Sequence, residues 1–119
     1  MVRAIRGAVT VENNDKDEIL DAVKTLLEKI ISDNNAAKED MVSIIFTLTP
    51  DLNAVFPARA ARDLGFSDVP LMCMSEIPVD GALEKCIRVM LTLNTDKSLA
   101  EIKHVYLKGA VALRPDLAG

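Results

Sequence analysis

The chain has 119 residues, half of them hydrophobic but only 3% aromatic, with no Trp, two cysteines and a formal net charge of −4. That length suits a single domain (1–119) with an aliphatic core, and no apolar run reaches the roughly 18 residues of a membrane span. The acidic balance argues against a nucleic-acid partner, and the N-terminus lacks the apolar stretch of a signal peptide, so a cytoplasmic, soluble protein is expected.

Residues 2–11 read as a strand interrupted by Gly7. Asn14 or Asp15 then opens an amphipathic helix whose apolar positions are Ile19, Leu20, Val23, Leu26, Leu27, Ile30 and Ile31. That spacing is helical, acids crowd the first turn, and Asn34-Asn35 supplies a stop. Residues 41–49 form a second strand, broken by Thr49-Pro50-Asp51. A short helix follows over 57–65, with Pro57 suited to its first position and Gly65 to its C-terminal cap. Arg59 and Arg62 share one face of that helix. Strands are expected at 70–76 and 86–94, joined through an Asp80-Gly81 turn. Ser98 to Glu101 is a capping-box pattern for a short helix, and residues 104–107 suit a last strand before Gly109–Leu113 and Arg114-Pro115. Strands alternating with helices in so short a chain predict a mixed α/β or α+β domain.

The chemistry concentrates on charged side chains in apolar strands. Alternation puts Cys86, Arg88, Met90, Thr92 and Asn94 on one face of the 86–94 strand, with only apolar residues on the other. An unpaired buried arginine is costly, so Arg88 calls for a nearby anion. Arg6 shares its face with the small residues Ala4, Ala8 and Thr10, leaving room for a ligand. Glu76 shares a side with Met72 and Met74, with Cys73 on the other. A structural ion pair from Glu76 to Arg88 or Arg6 is one reading. The other uses the surplus of cations (Arg6, Arg59, Arg62, Arg88, Arg114) to hold a ligand with two carboxylates and a hydroxyl, the carboxylates in bidentate forks and the hydroxyl on Glu76. His104 has no triad partners, Cys73 and Cys86 read as free thiols, and Tyr106 either packs or caps a pocket. No phosphate loop, dinucleotide fingerprint or metal cluster is apparent, so no cofactor and no metal are expected.

Six segments in order resemble the AroH-type monofunctional chorismate mutases: residues 5–12, 49–62, 73–76, 85–90, 104–107 and 112–117. The resemblance implies a homotrimer whose mixed sheets pack into a pseudo-α/β barrel, with one long helix and short helices per subunit and active sites shared between neighbours. It implies the [3,3] rearrangement of chorismate to prephenate, in the route to phenylalanine and tyrosine, with no covalent intermediate or proton transfer. Arg88 matches the cation at the ether oxygen and Arg6 a carboxylate ligand. Glu76 and the Cys73 segment match contacts to the ring hydroxyl, and Tyr106 the residue at the side-chain carboxylate. Phe56, Arg59, Arg62, Met72 and Leu113 match the pocket wall and entrance, and Met74 and Arg114 are counted with the substrate-binding set. Arg59 stands where relatives commonly carry Lys. The chain stops at Gly119, where relatives can continue in a mobile tail, so a difference in substrate capture is expected rather than one in the chemical step. The competing readings are a YjgF/RidA-like imine or enamine deaminase, also trimeric, and a silent trimer that binds chorismate-like dicarboxylates.

Overall fold

Strands with one apolar face and a helix with one apolar stripe must cover each other, and that requirement organises the chain. The computed structural model describes residues 1–113. Strand β1 (Val2–Thr10) leads to helix α1 (Lys16–Asn34), a short 3-10 turn and strand β2 (Met41–Leu48). Helix α2 (Ala58–Asp63), strand β3 (Leu71–Ser75) and strand β4 (Cys86–Asn94) follow. A 3-10 turn at Leu99–Glu101, strand β5 (Val105–Leu107) and a 3-10 stretch at Lys108–Leu113 complete the described residues. The sheet order is β3-β2-β4-β1-β5. β4 runs antiparallel to both β1 and β2, while the edge strands β3 and β5 are parallel to their neighbours. The mixed α+β class expected from the sequence is therefore present.

One face of the sheet carries Ile5, Val9, Ile44, Phe46, Ile87, Val89, Leu91 and Leu93. These pack on Ile19, Val23, Leu26, Leu27 and Ile30 of α1, all fully buried. Asp15 caps α1 by accepting from the Glu18 amide at 3.0 Å. Glu18 reaches back to the amides of Glu12 and Asn13, and those bonds, led by Asn13, hold its carboxyl below the usual range. At the other end Asn35 adopts the left-handed conformation (φ 50°), as a C-cap requires. Asn34 does more than stop the helix. Buried, it donates to Ile30 O and Lys103 O and accepts from Lys103 N, tying α1 to the approach of β5.

Gly7 does not interrupt β1, contrary to expectation. The strand runs through it because α1 presses so closely that a Cβ there would lie 2.6 Å from Ile30 Cδ1 and 3.2 Å from Leu26 Cδ1. Both neighbours are fully buried, so neither has open space to move into. Gly7→Ala should therefore lower the unfolding free energy by about 1–3 kcal/mol, the usual cost of overpacking. A fall in the urea midpoint at constant slope would register it.

Among the described residues, no element covers the opposite face of the sheet other than the short segment at its β5 end. Met72 is 57% exposed, Met74 46% and Met90 41%. Among the described residues no helix is long and apolar enough to cross a membrane.

Candidate active site

The register sets out the bare face in rows. Met74, Thr47, Arg88, Ala8 and Tyr106 lie side by side across β3, β2, β4, β1 and β5. One step along, Met72, Ile45, Met90 and Arg6 form the next row. Sequence alternation alone assigns Arg6 and Arg88 to particular faces, and pairing makes those faces one.

Arg88 and Glu76 meet, with Nε 3.2 Å from Oε2. The Glu76 side chain is 15% exposed and that of Arg88 35%, so the pair sits at the edge of the protein interior. Nε is buried and its N–H does not point along a hydrogen bond to the carboxylate, so the contact is an ion pair without good alignment. Thr47 Oγ1 donates to the same Glu76 oxygen. Glu76 is itself fixed by its amide, which continues the ladder to Leu48 O at 2.9 Å. Arg6, Thr47, Ile45, Glu76, Arg88 and Met90 share one open cavity. The Arg6 guanidinium makes no ion pair among the described residues, and its amide donates to His104 Nδ1 at 2.9 Å. His104 thus braces β1.

Tyr106 packs with Ala8, Cys86 and Ala110, and Leu83 and Leu113 close over this small cluster. The tyrosine is 7% exposed, and its hydroxyl is buried with no hydrogen-bond partner among the described residues. A buried donor without a partner is costly, so this hydroxyl is suited to meet a ligand. The small side chain of Ala8 separates it from Arg88, which keeps the space between them open.

Two further features hold Arg88 in place. Thr49-Pro50-Asp51 breaks β2 as expected and also anchors β4: Asp51 accepts from the Lys85 amide at 2.9 Å and Thr49 Oγ1 from the Cys86 amide at 3.0 Å. Lys85 turns through φ 48° between these contacts, three residues before Arg88. Cys86 is fully buried, and burial pushes its thiol up to about 11 despite the nearby Arg88 guanidinium, so it remains a neutral packing group.

Other candidates lie elsewhere. Cys73 is in the row of Phe46, Val89, Gly7 and Val105 and packs against the α1-side core. Its side chain is on the wrong side of the sheet to reach Arg88, so only its backbone can contribute beside that group. Phe56, Arg59 and Arg62 line a second cavity that shares no residue with the Arg6–Arg88 one. Phe56 is 72% exposed there, unusual for a large apolar side chain. Arg114 lies outside the described residues. Sequence reasoning missed Thr47. Its signal was a polar residue in an apolar strand, alternating opposite Phe46 and two before Thr49, but only pairing with Arg88 gives that a meaning. Thr47→Val should cost about tenfold in kcat/KM through loss of a charge-assisted hydrogen bond, with Thr47→Ser close to wild type. Equal losses in the two variants would rule out the hydroxyl as the cause.

A family model described as chorismate mutase type I matches residues 2–117. The chain is 54% identical over 119 residues to "Chorismate mutase AroH" of Bacillus subtilis, covering 99% of this chain and 94% of that protein. It is 47% identical over 118 residues to the Thermus thermophilus protein of the same name, covering 98% and 97%. A solved structure of a chorismate mutase from Clostridium thermocellum superposes with a TM-score of 0.91 at 54% identity, over 92% of this chain and 98% of that one.

Proposed function

The chain belongs to the type I chorismate mutase family, and from that premise we propose that the Arg6–Glu76–Arg88 face binds chorismate and carries its rearrangement to prephenate. The reaction breaks the ether C–O bond ahead of C–C bond formation within one molecule, so negative charge grows on the ether oxygen. It needs no nucleophile and no proton transfer. A fixed cation aimed at that oxygen is the group that matters most, and Arg88 is the cation whose orientation the fold controls most closely. Preorganised donors of this kind act strongly because they need no rearrangement as charge develops.

Arg6 and the Tyr106 hydroxyl take the two carboxylates. Glu76 accepts from the ring hydroxyl while holding Arg88, and the Cys73 backbone adds a contact on that side. Confinement keeps the enolpyruvyl chain folded over the ring, which contributes the remainder. Met72, Met74 and Leu113 border the pocket, and Arg114 completes the cationic set. The single observation that carries this reading is the paired Arg88–Glu76 on a face that also bears the Arg6 guanidinium and the buried Tyr106 hydroxyl, the first without an ion pair and the second without a hydrogen-bond partner among the described residues.

The assembly follows from the same face. A mostly bare sheet bearing three half-exposed methionines needs cover, and a homotrimer of this chain, sheets inward, supplies it. The Phe56–Arg59–Arg62 cavity then completes a neighbour's site, which accounts for its separation from Arg88 within one subunit.

A continuous ultraviolet assay of loss of the conjugated diene tests the activity. Saturable loss is expected, with prephenate identified by mass spectrometry and by acid conversion to phenylpyruvate. No loss above the uncatalysed background, from folded trimeric protein, would overturn the reading and leave a silent dicarboxylate binder.

A further inference from the structure

The cavity beside α2 contains a cation that none of the preceding roles uses. Lys16, the first residue of α1, lines it together with Arg59, Arg62, Asn53 and Phe56, and no carboxylate does so. The space is about 530 Å³. In a chain of net charge −4, three cations around one opening without an acid is a local reversal of sign. Among the described residues none of the three forms an ion pair within the protein.

The position of Lys16 is also unfavourable on local grounds. A cation in the first turn of a helix opposes the macrodipole, and the rest of this turn follows the opposite rule with Asp17 and Glu18. A residue that breaks a local preference without an intramolecular partner is a candidate for a role outside folding.

Its placement is fixed by the loop before it. Asn14 Nδ2 donates to Asn53 Oδ1 at 2.7 Å, and Asn14 Oδ1 accepts from the amides of Asn53 and Ala54 at 3.0 and 3.1 Å. These bonds staple the start of α1 to the segment leading into Phe56 and α2. The backbone of Lys16, two residues on, is thereby fixed beside the arginine-lined opening, whose rim its side chain joins.

We propose that Lys16 is a third cation of the substrate entrance, drawing in and first engaging a carboxylate of the dianionic substrate without acting in the chemical step. This rests on the reading above that Arg59 and Arg62 face a neighbour's active site. The effect is electrostatic and close to solvent, so it depends on charge and on ionic strength.

Steady-state kinetics on the intact assembly test it, with chorismate as substrate and Lys16→Gln, Lys16→Glu and Lys16→Arg compared with wild type. At low salt Lys16→Gln should raise KM about three- to tenfold at near-constant kcat, with Lys16→Glu raising it further and Lys16→Arg near wild type. At about 0.5 M salt the differences should shrink, because screening shortens the reach of the charge. Thermal midpoints should be unchanged or slightly higher in Lys16→Gln, since an adverse dipole contact is removed. An unshifted KM in Lys16→Glu, a loss confined to kcat, salt-independent differences, or a KM change that follows a lowered midpoint would each overturn the inference. Wild-type turnover is read in parallel. Normal turnover with unshifted variants rejects the role of Lys16 alone, whereas no turnover by wild type rejects the mutase reading together with it.

Discussion

Replacing Arg88 with glutamine, or with its neutral isostere citrulline, should cut kcat by about two to three orders of magnitude, the loss typical of one preorganised donor to a developing oxyanion. The side chain is well placed for so large an effect. Its strand is antiparallel to neighbours on both sides, its start is clamped by Thr49 and Asp51, and Glu76 lies 3.2 Å from Nε. The fold should survive, because Arg88 is only partly buried and Glu76 keeps the Thr47 hydroxyl as a partner. Citrulline keeps the planar shape but loses the charge and exchanges one donating NH2 for an accepting oxygen, so it separates packing from charge and donation together. Lysine should rescue in part, since it restores the charge without the fork that can face Glu76 and the ether oxygen together. Single-turnover rates with a circular dichroism control would measure this. A citrulline variant with near-wild-type kcat would mean that shape, not charge, is what Arg88 supplies.

The second large effect concerns two inactive proteins that become active together. On the proposed trimeric reading, an Arg88→Gln subunit would lack the reacting-centre cation, and an Arg59→Ala/Arg62→Ala subunit would lack the wall proposed for a neighbour's site. Each homotrimer should be nearly inactive. When the two are co-expressed with different tags and the mixed species isolated, some sites combine an intact β4 from one subunit with an intact α2 from the next. In each isolated mixed trimer one site of the three is whole, so about a third of wild-type activity should return. The expectation rests on the absence of any shared residue between the two cavities within one subunit. Mixed species no more active than either parent would place each site within a single chain. It would also require another partner for the exposed methionine face.

Much of this was legible in the residues. The spacing of Ile19 to Ile30 specifies α1, Asp15 and Asn35 mark its ends, and Ser98 with Glu101 form the capping box expected of them. Helix periodicity and capping are local, so a local reading recovers them. Strand alternation likewise separates Arg88 from Ile87 and Val89 and sets Cys73 opposite Glu76. Where local reading failed, the missing term was a neighbour distant in sequence. Gly7 looks like an interruption until Ile30 is seen above it.

The sequence by itself determined the elements, their apolar faces, the family and a set of cations with one strand-borne acid, because these depend on residue type and short-range spacing. Only the tertiary structure decided which of those cations share a site. Register between strands far apart in the chain put Arg6, Thr47, Arg88 and Tyr106 on one face, turned the Cys73 side chain away from them, and left Lys16, Arg59 and Arg62 around a different opening. The reason is physical: register is settled by burying one face of the whole sheet against α1, a condition on all five strands at once that no single segment expresses.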